Sequence, residues 1–355
     1  MSYNIRFGTF NVGQGFSDYS TMLSNDDEQY KRFERRVKNA VAETEKDHTE
    51  EQLKDPERRK VIKEFAHFKI MHKIETSVAE KLSNQCDVIA LQEVVRVSRT
   101  FIKTLEEKGF KIYHYEKGSK FSNAVALRES LFEPQVTNVS IPSKSGKDGP
   151  ILGQEIAAVI AKIKNLNLEM TFSSIHSWGF QLYHPDQTDR QYGKRDLDQI
   201  KYGETYIKEA FNNLKRRSIK VIAGDMNNNP QNQPGQFDFI KSQGFEVLEP
   251  NDITNINGYD PNYQKRKIDF IFVAKPSAVQ RVCSAVASLF VSRASVKYSP
   301  ATVLEGFDFT LDSNCSDHKP VVTTITIDSL PSTISRIYKY ALSFYHQLSE
   351  GRRKV

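Results

Sequence analysis

The stretch NCSDHKPVVTTITI, residues 314–327, has two halves of different character. The second half is β-branched from Val321 to Ile327, which predicts a strand. The first half places Asp317 and His318 side by side where that strand begins. A polar loop of this kind is usually solvated when it stands alone. Its meaning therefore depends on whether the rest of the chain supplies partners for this pair.

Polar side chains stand at the ends of other predicted strands, and one carboxylate stands inside a strand. The residues at strand ends are Asn11, Gln92, Glu93, His176, Asp225 and Asn227. Asp269 lies between Ile268 and Phe270 in an otherwise apolar run. A carboxylate in such surroundings is costly to bury unless it is paired. Asp269 therefore predicts a cationic or hydrogen-bonding partner, and a histidine would serve.

Short apolar runs predict strands along the whole chain. They cover residues 5–12, 88–91, 124–127, 156–163, 170–176, 221–223, 268–273 and 320–327. Between them, apolar residues recur every three or four positions and predict one buried helix face. That face comprises Val61, Phe65, Phe68, Met71, Ile74, Val78 and Leu82. Residues 198–214 are a second helix candidate, and the mixture of strands and helices predicts an α/β sandwich.

Composition limits the class of protein without naming it. The chain has 355 residues, 38% of them hydrophobic, and a net charge of +6, which is compatible with a polyanionic partner. Three cysteines form neither a disulfide framework nor a metal-binding spacing, which favours a reducing compartment. The sequence predicts no secretory signal and no membrane span. We expect a cytoplasmic monomer, with signal-independent export left open.

Two segments look additional to the core. Residues 26–60 are dense in charges of both signs and predict a solvated helical insertion, with bounds at about 18–60. Residues 329–355 form a C-terminal segment that follows a main domain of residues 1–328. In it an apolar stripe faces basic and polar residues, which predicts an amphipathic helix. That helix either docks on the domain or makes a peripheral membrane contact through residues 333–354.

The order of the polar strand ends resembles the ordered motifs of the endonuclease/exonuclease/phosphatase superfamily. The matching positions are Asn11, Glu93, His176, Asp225 with Asn227, Asp269, and Asp317 with His318. The resemblance extends from about Ile5 to Ile327. It implies a four-layer α/β sandwich of two packed mixed β-sheets flanked by helices. It also implies hydrolysis of a phosphoester, assisted by Mg²⁺ or Mn²⁺.

The resemblance also implies a role for each matching residue. Glu93 would be the principal metal ligand, with Asp317 and Asn11 in or beside the metal's shell. Oxygen ligands of this kind suit a hard cation that keeps several waters.

The remaining positions would handle the water and the phosphate. Asp225 would orient or deprotonate the attacking water, and Asn227 would hold that water or a phosphate oxygen. His318 would contact the phosphate or act as the base, with Asp269 fixing its tautomer. His176 would donate to a non-bridging oxygen.

The substrate is less well defined by the sequence. The ending Ser316–Val321 looks like that of inositol polyphosphate 5-phosphatases, but the motifs around Asp225 and Asp269 are more similar to deoxyribonuclease-like, deadenylase-like and sphingomyelinase-like members. The loop 178–195 combines aromatic and basic residues that would suit a nucleic acid or a lipid interface. We favour phosphodiester cleavage of nucleic acid. The alternatives are hydrolysis of an inositol or phospholipid headgroup and, as a minor one, a non-catalytic binding protein.

Overall fold

The computed structural model describes residues 2–12, 28–94, 99–114, 123–135, 156–164, 166, 168–177, 211, 219–231, 234–256, 265–274, 295–305, 307, 316 and 318–328. Every structural statement below concerns these residues. The loop 178–195, the C-terminal segment 329–355 and, except for Phe211, the helix candidate 198–214 lie outside them.

The chain alternates between strands and helices. The strands are β1 (Ser2–Asn11), β2 (Val88–Gln92), β3 (Phe110–His114), β4 (Ala124–Arg128), β5 (Phe132–Gln135), β6 (Ala157–Ile163), β7 (Glu169–His176), β8 (Ile219–Asp225), β9 (Phe245–Leu248), β10 (Asn255–Ile256), β11 (Lys265–Arg266), β12 (Asp269–Ala274), β13 (Ser295–Tyr298), β14 (Thr302–Val303) and β15 (Val321–Asp328). The helices are α1 (Glu28–Glu45), α2 (Pro56–Gln85), α3 (Arg99–Glu107) and α4 (Pro234–Ser242), and a 3-10 turn spans Gln52–Lys54. All eight predicted strands are present with shifted ends.

The strands form two large sheets. The first sheet has the order β13-β15-β1-β2-β4-β3, with β14 beside β15, and the second has the order β5-β6-β7-β8-β12-β9. Each sheet contains one parallel pair, β1 with β2 and β7 with β8, among antiparallel neighbours. Both sheets are therefore mixed. The short strands β10 and β11 pair with each other.

The two sheets pack face to face, and helices cover their outer faces. Between the sheets, Phe7 of β1 stacks on Phe172 of β7 with ring centroids 5.8 Å apart. Helices α2 and α3 bury their apolar side chains on the outer face of the first sheet. On the outer face of the second sheet, Phe237 of α4 contacts Phe270 of β12. The predicted four-layer sandwich is confirmed.

The predicted buried face of helix α2 is wrong in its first half. The residues that α2 buries include Ile62, Ala66, Ile70, Ile74, Val78 and Leu82. Val61, Phe65 and Phe68 are instead 60%, 47% and 56% exposed. Two apolar stripes run side by side on this helix, and periodicity alone cannot say which one meets the sheet. The start of α2 is well defined, because Asp55 accepts a hydrogen bond from Glu57 N and Pro56 occupies the first turn.

The inward-facing residues of the central strands change from apolar to polar at one edge of the sandwich. Side chains alternate across a strand, so every second residue faces inward. In β1 and β8 these residues are Phe7, Thr9 and Asn11, and Val221, Ala223 and Asp225. This polar edge therefore collects the last inward residue of several strands. No helix among the described residues is long and apolar enough to cross a membrane.

Candidate active site

Three of the predicted residues lie in a row across the second sheet. The register pairs His176 of β7 with Asp225 of β8, and Asp225 with Asp269 of β12. His176 Nε2 lies 3.6 Å from Asp225 Oδ2. Asp225 and Asp269 are both about 1% exposed. Strand pairing thus brings together residues that are far apart in the sequence.

Asn11 connects this row to the first sheet. Its Nδ2 donates to Asp225 Oδ2 at 2.9 Å and to Glu93 Oε1 at 3.2 Å. The same Glu93 oxygen lies 3.5 Å from His176 Nε2. A single amide from β1 therefore sits between the carboxylate that follows β2 and the carboxylate that ends β8.

The backbone is unusual at two of these positions. Glu93 has φ = 58° and Asn227 has φ = 51°, the left-handed region that residues other than glycine seldom adopt. Such conformations cost free energy and often occur at functional sites. Gly224, next to Asp225, has no room for a side chain, because an added Cβ would lie 1.7 Å from the carbonyl oxygen of Ile175.

Asn227 is held by its neighbours. Its backbone N–H donates to Asp225 Oδ1 at 2.6 Å, and its Nδ2 donates to the carbonyl of Ser177 at 2.7 Å. The same Nδ2 lies 3.2 Å from both Asp225 Oδ2 and His176 Nε2. The left-handed turn therefore directs the Asn227 amide back toward the row of polar residues.

His318 contacts the buried carboxylate that the sequence analysis expected to be paired. Its Nδ1 lies 2.9 Å from Asp269 Oδ2, and its Nε2 lies 3.7 Å from Asp225 Oδ2. The loop that carries His318 is tied to β1, because Ser316 Oγ donates to the carbonyl of Asn11 at 2.7 Å. An ionised Asp269 can only accept, so His318 carries its proton on Nδ1.

Two residues that the sequence analysis missed complete the surroundings of His318. Asn255 Nδ2 lies 3.0 Å from His318 Nε2, and Arg266 Nη2 donates to Asn255 Oδ1 at 3.1 Å. Because a guanidinium only donates, Asn255 must present its oxygen to Arg266 and its NH₂ group to His318. Nε2 of His318 is then the acceptor, in agreement with the tautomer set by Asp269.

A further missed contact joins the two sheets beneath the site. Gln92 accepts a hydrogen bond from Thr9 and donates through Nε2 to Ser174 Oγ at 2.8 Å. Ser174 in turn donates to the carbonyl of Leu91 at 2.7 Å. The alternation along β2 and β7 could have identified Gln92 and Ser174 as inward-facing. No comparable pattern indicates Asn255 or Arg266, because they meet only through the β10–β11 pairing.

The site holds a carboxylate that is hard to ionise. Burial raises the pKa of Asp225 to about 6, and the Asp269 carboxylate adds to the rise while His318 and His176 oppose it. Among the described residues, no lysine or arginine forms an ion pair with Asp225. A buried acid without a fixed cation is a common feature of functional sites.

The residues beside Glu93 fit a hard divalent cation. Among the described residues, Glu93 accepts a hydrogen bond from Asn11 through Oε1, so that its second carboxylate oxygen could bind a cation. Asp317, the third expected ligand, lies outside the described residues. One ligand atom each from Asp225, Asp269 and His318 also lies within 4.8 Å of the others. We interpret that group as an acid–base cluster and not as a metal site, because Asp269 already accepts a hydrogen bond from His318 Nδ1.

Comparison with known proteins establishes the fold class. No family model and no curated protein matches the sequence. An endonuclease/exonuclease/phosphatase from Bacteroides vulgatus superposes with a TM-score of 0.53 over 92% of this chain and 100% of that chain, at 11% identity. A family protein from Bacteroides thetaiotaomicron gives 0.52 over 92% and 99%, at 13% identity. The human Nocturnin catalytic domain, solved with a bound sulfate anion, gives 0.50 over 92% and 95%, at 14% identity.

The chain therefore has the fold of the endonuclease/exonuclease/phosphatase proteins. The resemblance read from the motif order is confirmed at the level of the fold.

Proposed function

We propose that this protein is a divalent-metal-dependent phosphoester hydrolase. The observation that carries the proposal is the convergence of Glu93, Asn11, Asp225, His176 and His318 at the polar edge of the sandwich, which we call the catalytic edge. These residues come from both sheets and lie within 4 Å of at least one other member. A cluster that served only stability would not need a buried Asp225 that pairs with no lysine or arginine among the described residues. Nor would it need His318, whose tautomer is fixed by both Asp269 and Asn255.

The geometry supports a division of labour among the chain's own residues. Asp225 would orient or deprotonate the attacking water, since its carboxylate lies at the centre of the site. Asn227 would hold that water or a phosphate oxygen. His318, whose Nδ1 faces Asp269, would act as the base through its unprotonated Nε2 or, once Nε2 is protonated, contact the phosphate, and His176 would donate to a non-bridging oxygen.

Glu93, with Asn11 and Asp317, would hold Mg²⁺ or Mn²⁺. A bound divalent cation supplies positive charge that offsets the negative charge of the phosphoryl oxygens.

We favour phosphodiesters of nucleic acid as the substrate class. The support is the motif similarity around Asp225 and Asp269 together with the net charge of +6. A second candidate is a phospholipid or inositol headgroup at a membrane surface. It is favoured by one structural observation, the exposed side chains of Val61, Phe65 and Phe68 on α2.

The test is a hydrolysis panel with Mg²⁺ or Mn²⁺, in the presence and absence of EDTA. Plasmid DNA, RNA, inositol-lipid vesicles and sphingomyelin vesicles are the substrates, and wild type is compared with His318→Ala. His48→Ala is the matched control, because His48 lies beyond the end of α1 and outside the site. We expect turnover of one substrate that is lost with EDTA and in His318→Ala only. A folded wild-type protein that cleaves none of them, or a fully active His318→Ala variant, would overturn the proposal.

A further inference from the structure

The first half of α2 displays an apolar stripe to solvent. Val61, Phe65 and Phe68 are the large hydrophobic side chains that are exposed among the described residues. They follow one another at spacings of four and three, so they share one face of the helix. The apolar residues that α2 packs on the sheet lie on its other side. We call Val61, Phe65 and Phe68 the α2 stripe.

The α2 stripe projects on the same side of the molecule as the catalytic edge. The C-terminal end of α2 lies at the opposite edge, where Arg6 Nη1 donates to the carbonyl of Asn84 at 2.8 Å. Helix α2 has 30 residues and is about 45 Å long, whereas the five-residue β2 is about 17 Å long. Because α2 leads directly into β2 and packs on the same sheet, it runs back over β2, and its first half passes the edge where β2 ends at Gln92.

Positive charge accompanies the α2 stripe. Residues 56–73 contain six basic side chains against two acidic ones, a net charge of +4. The basic residues are Arg58, Arg59, Lys60, Lys63, Lys69 and Lys73, and all are exposed. The Lys69 ammonium group lies 4.7 Å from the centre of the Phe65 ring. Exposed aromatic rings beside basic residues are typical of helices that lie in the headgroup region of a bilayer.

The charges distinguish between possible occupants of the α2 stripe. An apolar stripe is also predicted from the sequence of the C-terminal segment 329–355, but that segment carries five basic residues against one acidic residue, a net charge of +4. Two segments of like charge repel, so this segment is a poor partner for α2. A nucleic acid would satisfy the basic residues but would leave Val61, Phe65 and Phe68 in water. An anionic bilayer satisfies both, because rings enter the interface while lysines reach the headgroups.

We propose that the α2 stripe and its basic neighbours bind the surface of an anionic phospholipid bilayer, with the catalytic edge facing the headgroups. This binding does not depend on the proposed hydrolysis. It would bring membrane-bound phosphoesters to the site, and it would leave turnover of a soluble substrate unaffected.

The test is co-sedimentation of the full chain with phosphatidylcholine vesicles, with and without phosphatidylserine, in EDTA. We expect binding only to the anionic vesicles, weaker at high salt. The double variant Phe65→Ser/Phe68→Ser should lose about tenfold in vesicle partitioning. Lys63→Glu/Lys69→Glu should lose at least as much. The matched charge control is Lys103→Glu/Lys297→Glu, which changes two lysines that are each 74% exposed elsewhere.

A second measurement locates the contact. Phe68→Trp should show a fluorescence increase over wild type on anionic vesicles, and brominated lipid should quench that increase. The proposal is overturned if wild type does not sediment with anionic vesicles, or if the two serine substitutions leave binding unchanged. Binding to a labelled oligonucleotide that is lost only in Lys63→Glu/Lys69→Glu, without vesicle binding, would instead assign α2 to nucleic acid.

The outcome can be separated from that of the hydrolysis panel. His318→Ala should sediment with anionic vesicles as wild type does, because His318 belongs neither to the α2 stripe nor to its basic neighbours. Vesicle binding without any hydrolysis would leave this inference standing and would remove the proposed function. Hydrolysis of a soluble phosphoester without vesicle binding would do the reverse.

Discussion

The two edges of this sandwich each bury a carboxylate, and they treat it in opposite ways. Asp87, at the start of β2, accepts hydrogen bonds from Arg6 Nη2 at 2.8 Å and from Arg128 Nε at 3.3 Å. Burial opposes ionisation of Asp87, but the hydrogen bonds from Arg6 and the positive charges of Arg6 and Arg128 together lower its pKa. Asp225, at the catalytic edge, has histidines and amides around it, and burial raises its pKa to about 6.

We interpret this difference as a division between the edge around Asp87, which stabilises the fold and which we call the structural edge, and the catalytic edge, which is proposed to carry the activity. Asp87 with its two arginines ties α2, β1 and β4 together, since Arg6 also reaches Asn84 and Arg128 also donates to the carbonyls of Ser83 and Cys86. The catalytic edge has no such arginine on Asp225 among the described residues. A fixed guanidinium there would neutralise the carboxylates that, in the proposed function, bind a divalent cation and a water. Arginines therefore offset the charge of Asp87 at the structural edge, whereas no described arginine offsets the charge of Asp225 at the catalytic edge.

The largest expected effect is on activity at the catalytic edge. His318→Asn should lower kcat/KM on the substrate found in the hydrolysis panel by about 10²- to 10⁴-fold, because it removes the group that acts on the phosphate. Circular dichroism should confirm that the variant is folded. Wild-type kcat/KM in this variant would mean that His318 is structural and that the two edges do not differ in function.

The next largest effect is on stability at the structural edge. Asp87→Asn should lower the free energy of unfolding by about 2–4 kcal/mol, because it leaves Arg6 and Arg128 without their carboxylate. The low end is favoured, since the Arg6 side chain is 43% exposed. Urea denaturation measures the change, and kcat should stay within about twofold below the unfolding transition. A large loss of kcat with unchanged stability would reverse the assignment of the two edges.

Asp225 and Asp87 should make the free energy of unfolding change with pH in opposite directions, because the pKa of Asp225 is raised and that of Asp87 is lowered. A raised folded-state pKa means that the folded protein binds more protons than the unfolded chain between about pH 4 and 6. Asp225 therefore lowers the free energy of unfolding as pH rises through that window, by about 2 kcal/mol. The lowered pKa of Asp87 has the reverse effect, and its stabilisation is lost as pH falls below about 4.

Asp225→Asn tests this sign directly. The free energy of unfolding is measured by urea denaturation in Mg²⁺-free buffer at several pH values between 4 and 6. As pH rises through this window, it should fall less steeply in Asp225→Asn than in wild type. Asp87→Asn is the internal comparison and should keep the wild-type decline in that window. An identical slope in all three proteins would mean that Asp225 ionises normally.

The smallest expected effect concerns the residues behind His318. Asn255→Ala should lower kcat by about tenfold with little change in KM, because it removes a positioning contact and leaves the substrate contacts in place. Arg266→Met should lower kcat by less, since it removes only the hydrogen bond that orients the Asn255 side chain. Asn84→Ala is the matched control on the exposed end of α2. A rise in KM alone would make Asn255 a substrate contact.

Much of the catalytic edge was predictable because it depends on local pattern. The β-branched run after Lys319, the apolar runs before Glu93 and Asp225, and the costly position of Asp269 each mark a strand and its polar end. The pairing of Asp269 with a histidine follows from the free energy of burying a carboxylate. The structure places His318 there.

The sequence by itself determined the strands, the order of the polar ends and therefore the fold class, because period-two alternation and strand-end chemistry are local properties. Only the tertiary structure decided which stripe of α2 faces the sheet, and that Asn255 and Arg266 stand behind His318. The physical reason is that neither the buried stripe of α2 nor the contact behind His318 is set by residues that are neighbours in the sequence. Two stripes of α2 are apolar enough to be buried, and only the packing of the folded chain around α2 selects Ile62 over Phe65. The Asn255–Arg266 contact exists only once β10 and β11 have paired.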